Sequence, residues 1–359
     1  MKECEFDAVL QEDLELSAAW LSRFEPLRDA SVLITGATGL LGSQLFRTLA
    51  CYNRQYGAGL QLILLVRSRE KAESLFGELA NRVDVRIVTG DIAEPWTDRF
   101  PAALSADYIL HTAGVTASKT MVERPVETIE TALLGTMRML ELARVKQCRG
   151  MVYVSSMEVY GVVNSDAPVT EEQLGYLDVL KVRSNYPESK RMCENLCVAY
   201  ASEYALPVRI ARLAQTFGAG VLPRENRVFA QFARSALRGE DIVLHTKGLS
   251  EGNYCYTRDT VRGILTILLR GEDGQAYNVA NEASHTTIAG MAKMVAEEIA
   301  GGAIALRYEI PEENIYGYAP DTHLKLSSAR LRALGWQPEV SLKDAYLRMM
   351  ASMKNTGIG

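Results

Sequence analysis

Thr35-Gly36-Ala37-Thr38-Gly39-Leu40-Leu41-Gly42 is the stretch on which the reading of the fold turns. The apolar run Ser31 to Thr35 leads into it, and a helical pattern from Leu41 to Cys51 follows it. Three glycines at this spacing between a strand and a helix form a phosphate-binding turn. Gly36 permits the tight turn, Gly39 lets a pyrophosphate approach the backbone, and Gly42 lets helix pack on strand. The helix amino end adds free N–H groups and the positive end of a dipole. The candidate dinucleotide contacts are therefore Gly36, Thr38, Gly39, Leu40, Leu41 and Gly42; a glycine-rich turn without a ligand is the competing reading.

Outward from that turn, strand-like and helical stretches alternate. LQLILLV (60–66) precedes a helix from Glu70, VRIVTGD (85–91) and DYILHTA (107–113) follow, and a helix through Thr131 to Ala143 leads to GMVYVSS (150–156). This alternation predicts a parallel sheet with helices on both faces, and the nearly all-apolar strands should be central. The expected class is α/β: a Rossmann-like doubly wound parallel sheet, with a smaller mixed α/β substrate domain at the C-terminal side. Residues 1–29 read as an acidic amphipathic helical extension (Phe6, Val9, Leu10, Leu14, Leu16, Trp20, Leu21, Phe24) ending near Pro26. Residues 30–180 read as the dinucleotide-binding domain, and 181–359 as the last sheet strands interleaved with the substrate domain. In that half, PVRIARLAQTFG (207–218) reads as one strand and AYNVAN (276–281) as another.

The 359 residues are 48% hydrophobic and 23% charged, the balance of a globular chain. With 39 Lys+Arg against 44 Asp+Glu, a net charge of −5 leaves no basic field for nucleic acid. The longest apolar run, Leu62 to Val66, is far short of the roughly 20 residues that cross a bilayer, and the first residues lack a signal-peptide pattern. No membrane partner and a cytoplasmic location are expected. The six cysteines are scattered and expected to be free; Cys193 and Cys197, one helical turn apart, read as buried helix-face residues, and no metal site is expected.

At the end of the second strand, where an acidic residue would hold the ribose hydroxyls of NAD, the sequence is Val66-Arg67-Ser68-Arg69. A guanidinium suits the extra phosphate of NADP, so NADP is favoured over NAD, with solvated loop cations as the alternative. Asp91, ending the third strand, reads either as an adenine contact or as a strand-end cap.

Taken together, TGATGLLG, VTGDI, HTAG (111–114), VYVSSMEVYG (152–161), Tyr186-Pro-Glu-Ser-Lys190 and RLAQTFGAG (212–220) carry a resemblance. The chain resembles the extended short-chain dehydrogenases/reductases, in particular nucleotide-sugar epimerases, dehydratases and decarboxylases. The resemblance implies that Tyr186 exchanges the hydroxyl proton while hydride moves to or from a nicotinamide, that Lys190 holds the nicotinamide ribose, and that Ser156 bonds the reacting oxygen. It extends the cofactor contacts to Ile92 and Ala113 and places Ser118, Ser156, Met157, Gln215 and Arg227 at the substrate. Tyr186 and Lys190 lie four apart on one helix, and an ammonium beside the phenol is expected to lower its pKa.

Glu158 is the candidate base or acid for a neighbouring proton. Met157 stands where 4,6-dehydratases look like they carry an acidic Asp, and it has no proton to give. The texture is closest to UDP-glucuronate decarboxylases, through Arg183, Glu188, Lys190-Arg191 and Asn226-Arg227-Val228. Gly252, Gln215 and Gly218-Ala219 depart from that pattern, and Arg227 and Lys247 are the candidates for a phosphate clamp by another route. The expected activity is NAD(P)-dependent chemistry at C-4 of a nucleotide-sugar. A plain NADPH-dependent ketoreductase and a non-catalytic nucleotide-sensing protein are the alternatives. The resemblance also implies a homodimer through the Thr128–Ala143 and Tyr186–Tyr204 helices, using Leu133, Leu134, Met137, Leu140, Leu142, Met192, Leu196, Val198 and Ala199. The competing expectation is that the N-terminal extension covers that surface and leaves a monomer.

Overall fold

Seven strands form one parallel sheet because its central strands are apolar toward both faces and successive strands are joined by crossovers rather than tight turns. The computed structural model describes residues 2–24, 27–163, 165–311 and 321–358. The strands are β1 (Ser31–Thr35), β2 (Gln61–Val66), β3 (Val85–Thr89), β4 (Tyr108–His111), β5 (Gly150–Ser156) and β6 (Val208–Leu213), with β7 (Gln215–Phe217), β8 (Ile242–Leu244), β9 (Glu251–Gly252), β10 (Tyr254–Tyr256), β11 (Ala276–Val279), β12 (Thr286–Thr287) and β13 (Leu306–Tyr308) after them. The sheet runs β11-β6-β5-β4-β1-β2-β3, so the chain reverses its direction of travel between β1 and β4. A crevice opens at such a switch point, at the carboxyl ends of the strands.

The helices are α1 (Ala8–Leu21), α2 (Leu40–Tyr56), α3 (Arg69–Phe76), α4 (Trp96–Arg99), α5 (Ser118–Glu123), α6 (Pro125–Val145), α7 (Asn185–Tyr204), α8 (Val228–Arg238), α9 (Thr257–Arg270), α10 (Ile288–Met294), α11 (Ala329–Ala333) and α12 (Leu342–Asn355). Strand alternation divides the core. Val32, Ile34, Leu62 and Leu64 face α2, α9 and α12, whereas Leu33, Ile63, Ile109 and Tyr153 face α4, α6 and α7. Among the described residues, no helix is long and apolar enough to cross a membrane.

Two expectations about the extension are corrected. The helix α1 buries Leu10, Leu14, Ala18 and Leu21, but Phe6 and Leu16 point to solvent, while the polar Asp7, Gln11, Asp13 and Ser17 are buried. It lies on α2, α9 and α12, on the sheet face opposite α6 and α7, so it does not cover the proposed dimer surface. Its expected end near Pro26 lies outside the described residues. On α6 and α7, Leu140 and Leu142 are buried within the chain and Leu133 and Leu196 pack against the core, leaving Leu134, Met137, Met192, Val198 and Ala199 exposed. All six cysteines are free thiols, with Cys193 and Cys197 buried on α7.

The single strand expected over 207–218 is two. Ala214 still donates to the Val279 carbonyl of the main sheet (3.1 Å), but β7 then leaves it and pairs in parallel with β10. A continuous apolar pattern carries no signal of a change of partner, and this change is what brings Gln215 to the crevice.

Candidate active site

A cavity of about 840 Å³ occupies the switch point, within the size range of small-molecule sites. Its phosphate wall is backbone. Gly36 sits at φ +64°, and a Cβ there would lie 2.8 Å from the Ala113 backbone; a Cβ on Gly42 would lie 2.3 Å from the Gly36 carbonyl oxygen. The turn therefore admits no side chains at these positions, and α2 begins at Leu40 with its first N–H groups toward the cavity rim. These features fit a dinucleotide pyrophosphate.

The β1–β4 seam below the turn is pinned by polar groups. Thr35 Oγ1 accepts from the Ala113 N–H (3.2 Å) and shares a hydrogen bond with His111 Nδ1 (2.7 Å), while His111 Nε2 shares one with Thr136 Oγ1 (3.3 Å). Burial, with Lys190 nearby, pulls the His111 pKa down to about 3, so this imidazole is neutral and structural.

All but two of the residues expected at the site line this one cavity: Gly36, Thr38, Gly39, Leu40, Leu41, Gly42, Arg67, Asp91, Ile92 and Ala113 on the dinucleotide side, then Ser118, Ser156, Met157, Glu158, Tyr186, Lys190, Gln215 and Arg227. Arg69 and Lys247 do not line it. Arg69 donates to the Ile87 carbonyl (2.9 Å) and pairs with Glu73, while Lys247 is exposed elsewhere. Sequence reasoning missed Ser68 and Lys71, which line the cavity beside Arg67. The signal was the spacing, since Lys71 is four after Arg67 at the start of a helix. Arg67 has no hydrogen-bond or ion-pair partner among the described residues. Asp91 accepts from Ala93 N (2.9 Å), which makes it the cap the sequence allowed, though it also faces the cavity.

The catalytic candidates converge from β5 and α7. Ser156 ends β5, and its Oγ accepts from the Glu158 N–H (3.2 Å), which places Glu158 on the following short turn. Tyr186 and Lys190 are on the first turns of α7. Behind them, Glu194 accepts from Ser155 Oγ (2.5 Å) and from Arg212 Nη2 (2.7 Å), holding the end of β5 against α7. Glu158 is not free: Arg183 Nη2 donates to it at 2.9 Å, and the Arg183 guanidinium lies 5.6 Å from the Tyr186 ring centroid. Arg227 is also engaged, paired with Glu225 at 2.6 Å and lying over the Phe229 ring.

The expected lowering of the Tyr186 phenol does not occur in the protein alone. Burial, helped by the Glu158 charge, pushes its pKa up to about 12, and the Ser156 hydrogen bond with the Arg183 and Arg227 charges offsets only part of that. Lys190 donates instead to the Val154 carbonyl (2.8 Å), with its ammonium 4.7 Å from the Tyr153 ring centroid and 5.9 Å from that of Tyr186; burial lowers its own pKa. Helical spacing put both side chains on one face but did not specify which acceptor the ammonium would take.

Known proteins resemble the chain as follows. It is 29% identical over 315 residues, 87% of this chain and 85% of the relative, to UDP-glucuronic acid decarboxylase 6 of Arabidopsis thaliana. It is 27% identical over 345 residues, 94% of this chain and 77% of the relative, to UDP-glucuronic acid decarboxylase 1 of Xenopus tropicalis. Its fold matches that of a UDP-glucose 4-epimerase from Thermotoga maritima with a TM-score of 0.75 at 21% identity, covering 91% of this chain and 99% of the other. The family model for the NAD dependent epimerase/dehydratase family matches residues 32–280. The phosphate turn, the Ser156, Tyr186 and Lys190 constellation and this match over most of the chain agree, and the protein belongs to the NAD dependent epimerase/dehydratase family.

Proposed function

We propose that the protein oxidises C-4 of a nucleotide-activated sugar, uses the ketone to ease a reaction at a neighbouring carbon, and reduces the product again. The observation that carries this reading is the convergence of Ser156, Glu158, Tyr186 and Lys190 on the cavity that holds the phosphate turn. The dinucleotide supplies the hydride acceptor and, when oxidised, a positive charge that favours the phenolate. Tyr186 takes the C-4 hydroxyl proton as hydride leaves that carbon, Ser156 bonds the same oxygen, and Lys190 holds the nicotinamide ribose. Glu158 serves the neighbouring proton, with Arg183 aiming it through their ion pair. Residues 30–180 carry the phosphate turn together with Ser118, Ser156, Met157 and Glu158, residues 181–359 add Tyr186, Lys190 and the rest of the substrate wall, and 1–29 are an extension.

UDP-glucuronate is the substrate to which the relatives point, and decarboxylation through the C-4 ketone is the net reaction. Carbon dioxide leaves the β-keto acid, its bonding electrons form an enolate across C-4 and C-5, and C-5 takes a proton drawn from solvent before C-4 is reduced. Met157, with no proton to give, stands against 4,6-dehydration. The test is incubation of the purified protein with UDP-glucuronate and NAD or NADP, following carbon dioxide, the nucleotide-sugar product and absorbance at the nicotinamide band. A UDP-pentose formed without net cofactor reduction is expected. Stoichiometric consumption of NADPH with a 4-keto sugar, and no turnover of UDP-glucuronate, would favour the ketoreductase reading, which the unpartnered Arg67 supports.

NADP is the favoured cofactor of this reading, through Arg67 and Lys71. A homodimer is proposed through the exposed apolar residues of α6 and α7, Leu134, Met137, Met192 and Val198. Light scattering should give twice the 39.6 kDa chain mass; a monomer refutes it. Free buried thiols fit a cytoplasmic location.

A further inference from the structure

The turn after β7 joins two parts of the substrate wall, Gln215 and Thr216 on one side and Leu222 and Arg227 on the other. Its own residues do not touch the cavity, and Ala219 and Val221 are buried. Three hydrogen bonds from side chains hold its backbone. Gln44 Nε2 donates to the Ala219 carbonyl (2.5 Å), the Ala219 N–H donates to the Tyr256 hydroxyl (3.4 Å), and the Gly220 N–H donates to Ser352 Oγ (2.9 Å).

Both hydroxyls are themselves oriented by the N-terminal helix. Tyr256 donates its proton to Asp13 Oδ2 (2.5 Å), and Ser352 donates its proton to Asp7 Oδ2. A hydroxyl has one proton, and once a carboxylate takes it only lone pairs remain for other neighbours. Asp7 and Asp13 thus make acceptors of two groups that would otherwise be free to turn a proton toward the backbone N–H groups. Both carboxylates are buried, and Asp13 is fixed further by Arg348 (2.8 Å) and Arg258 (3.2 Å). Leu10 completes the contact, since a Cβ on Gly220 would lie 3.0 Å from its Cδ2.

We propose that α1 is a positioning element of the active site: Asp7 through Ser352, and Asp13 through Tyr256, set the Gly218–Val221 turn and thereby the sugar-nucleotide wall, without acting on the dinucleotide wall. The ligand named here rests on the proposed function; the hydrogen-bond relay does not.

The test uses the full chain. Tyr256→Phe/Ser352→Ala removes both hydroxyls and leaves the core packing of α1 intact, and Asp7→Ala removes one orienting carboxylate, with Asp7→Asn keeping an acceptor oxygen as the rescue. Leu14→Ala is the control, since it loosens α1 in the core without touching the relay. Three quantities are measured: amide exchange over residues 218–227, the dissociation constant of UDP-glucuronate, and that of the dinucleotide. In the double variant, exchange should rise and UDP-glucuronate binding weaken by about tenfold, the scale of one lost hydrogen bond. Asp7→Ala should move both in the same direction, Asp7→Asn should restore them, and dinucleotide binding should hold throughout. Leu14→Ala should lower Tm without the affinity loss.

Unchanged exchange overturns the relay. Raised exchange with unchanged UDP-glucuronate affinity, or an equal affinity loss in Leu14→Ala, overturns the positioning role. If the wild-type protein binds no UDP-sugar, the proposed substrate falls, and exchange at the wall residues Leu222 to Arg227 alone decides the relay.

Discussion

The two walls of the cavity are built by different means. The phosphate wall is seven consecutive residues, Gly36 to Gly42, whose shape follows from missing side chains and a helix start. The proposed substrate wall draws Ser118, Met157, Glu158, Gln215, Leu222 and Arg227 from five separated segments, and it is held by polar contacts reaching back to the first helix. A wall made by local backbone geometry can be recognised as a motif, and it accepts a ligand common to many enzymes. A wall made of distant side chains is where one relative can differ from another, as Met157 and Gln215 do here.

Predictions follow that contrast, beginning where the walls meet. Tyr186→Phe removes the proposed proton acceptor and nothing that shapes either wall. It should lower hydride transfer by about 10²–10⁴, with Tm and dinucleotide affinity unchanged, as read by single-turnover nicotinamide absorbance. Near-normal turnover would remove Tyr186 from the chemistry.

Arg67→Ala touches only the dinucleotide side. A charge-assisted contact to a 2′-phosphate is worth about 1.5–3 kcal/mol, so NADP affinity should fall by roughly 10- to 100-fold with NAD unaffected. Equal loss for both cofactors, or tighter NAD binding in the wild type, would show that the cation does not read the 2′-phosphate. Lys71→Ala should give a smaller loss of the same kind, because its ammonium is a more mobile point charge than a guanidinium.

The smallest expected effect lies in the seam beneath the phosphate turn. His111 is neutral in the folded chain down to about pH 3, whereas in the unfolded chain it takes a proton near its ordinary 6.5. Between those values the unfolded state binds more protons, so this group makes stability fall as pH falls from 6.5 toward 3. Replacing it by Gln should flatten the acid limb of denaturant-derived stability by about one proton, or about 1.4 kcal/mol per pH unit. An unchanged slope would mean that His111 is charged in the fold.

Much of the molecule was legible in the residues. Apolar runs alternating with helical patterns identify the doubly wound sheet, because strands buried on both faces have no other composition available. The glycine spacing identifies the phosphate wall, because positions that admit no Cβ must be glycine. Tyr186, Lys190, Ser156 and Glu158 were singled out through the resemblance rather than by spacing alone, and the fold brings all four to one cavity. Tertiary structure decided the rest. It turned Lys190 toward Val154 and left the Tyr186 phenol high, paired Glu158 with Arg183, withdrew Arg69 from the cofactor side, and split 207–218 between two sheets. It also placed α1 against α9 and α12, away from α6 and α7, and so made Asp7 and Asp13 neighbours of Ser352 and Tyr256 across more than two hundred residues of chain. Periodicity and motif spacing act over one or two turns of backbone. The choice of partner for a buried charge or hydroxyl depends on which groups the completed fold brings within hydrogen-bond reach, and no local pattern records that.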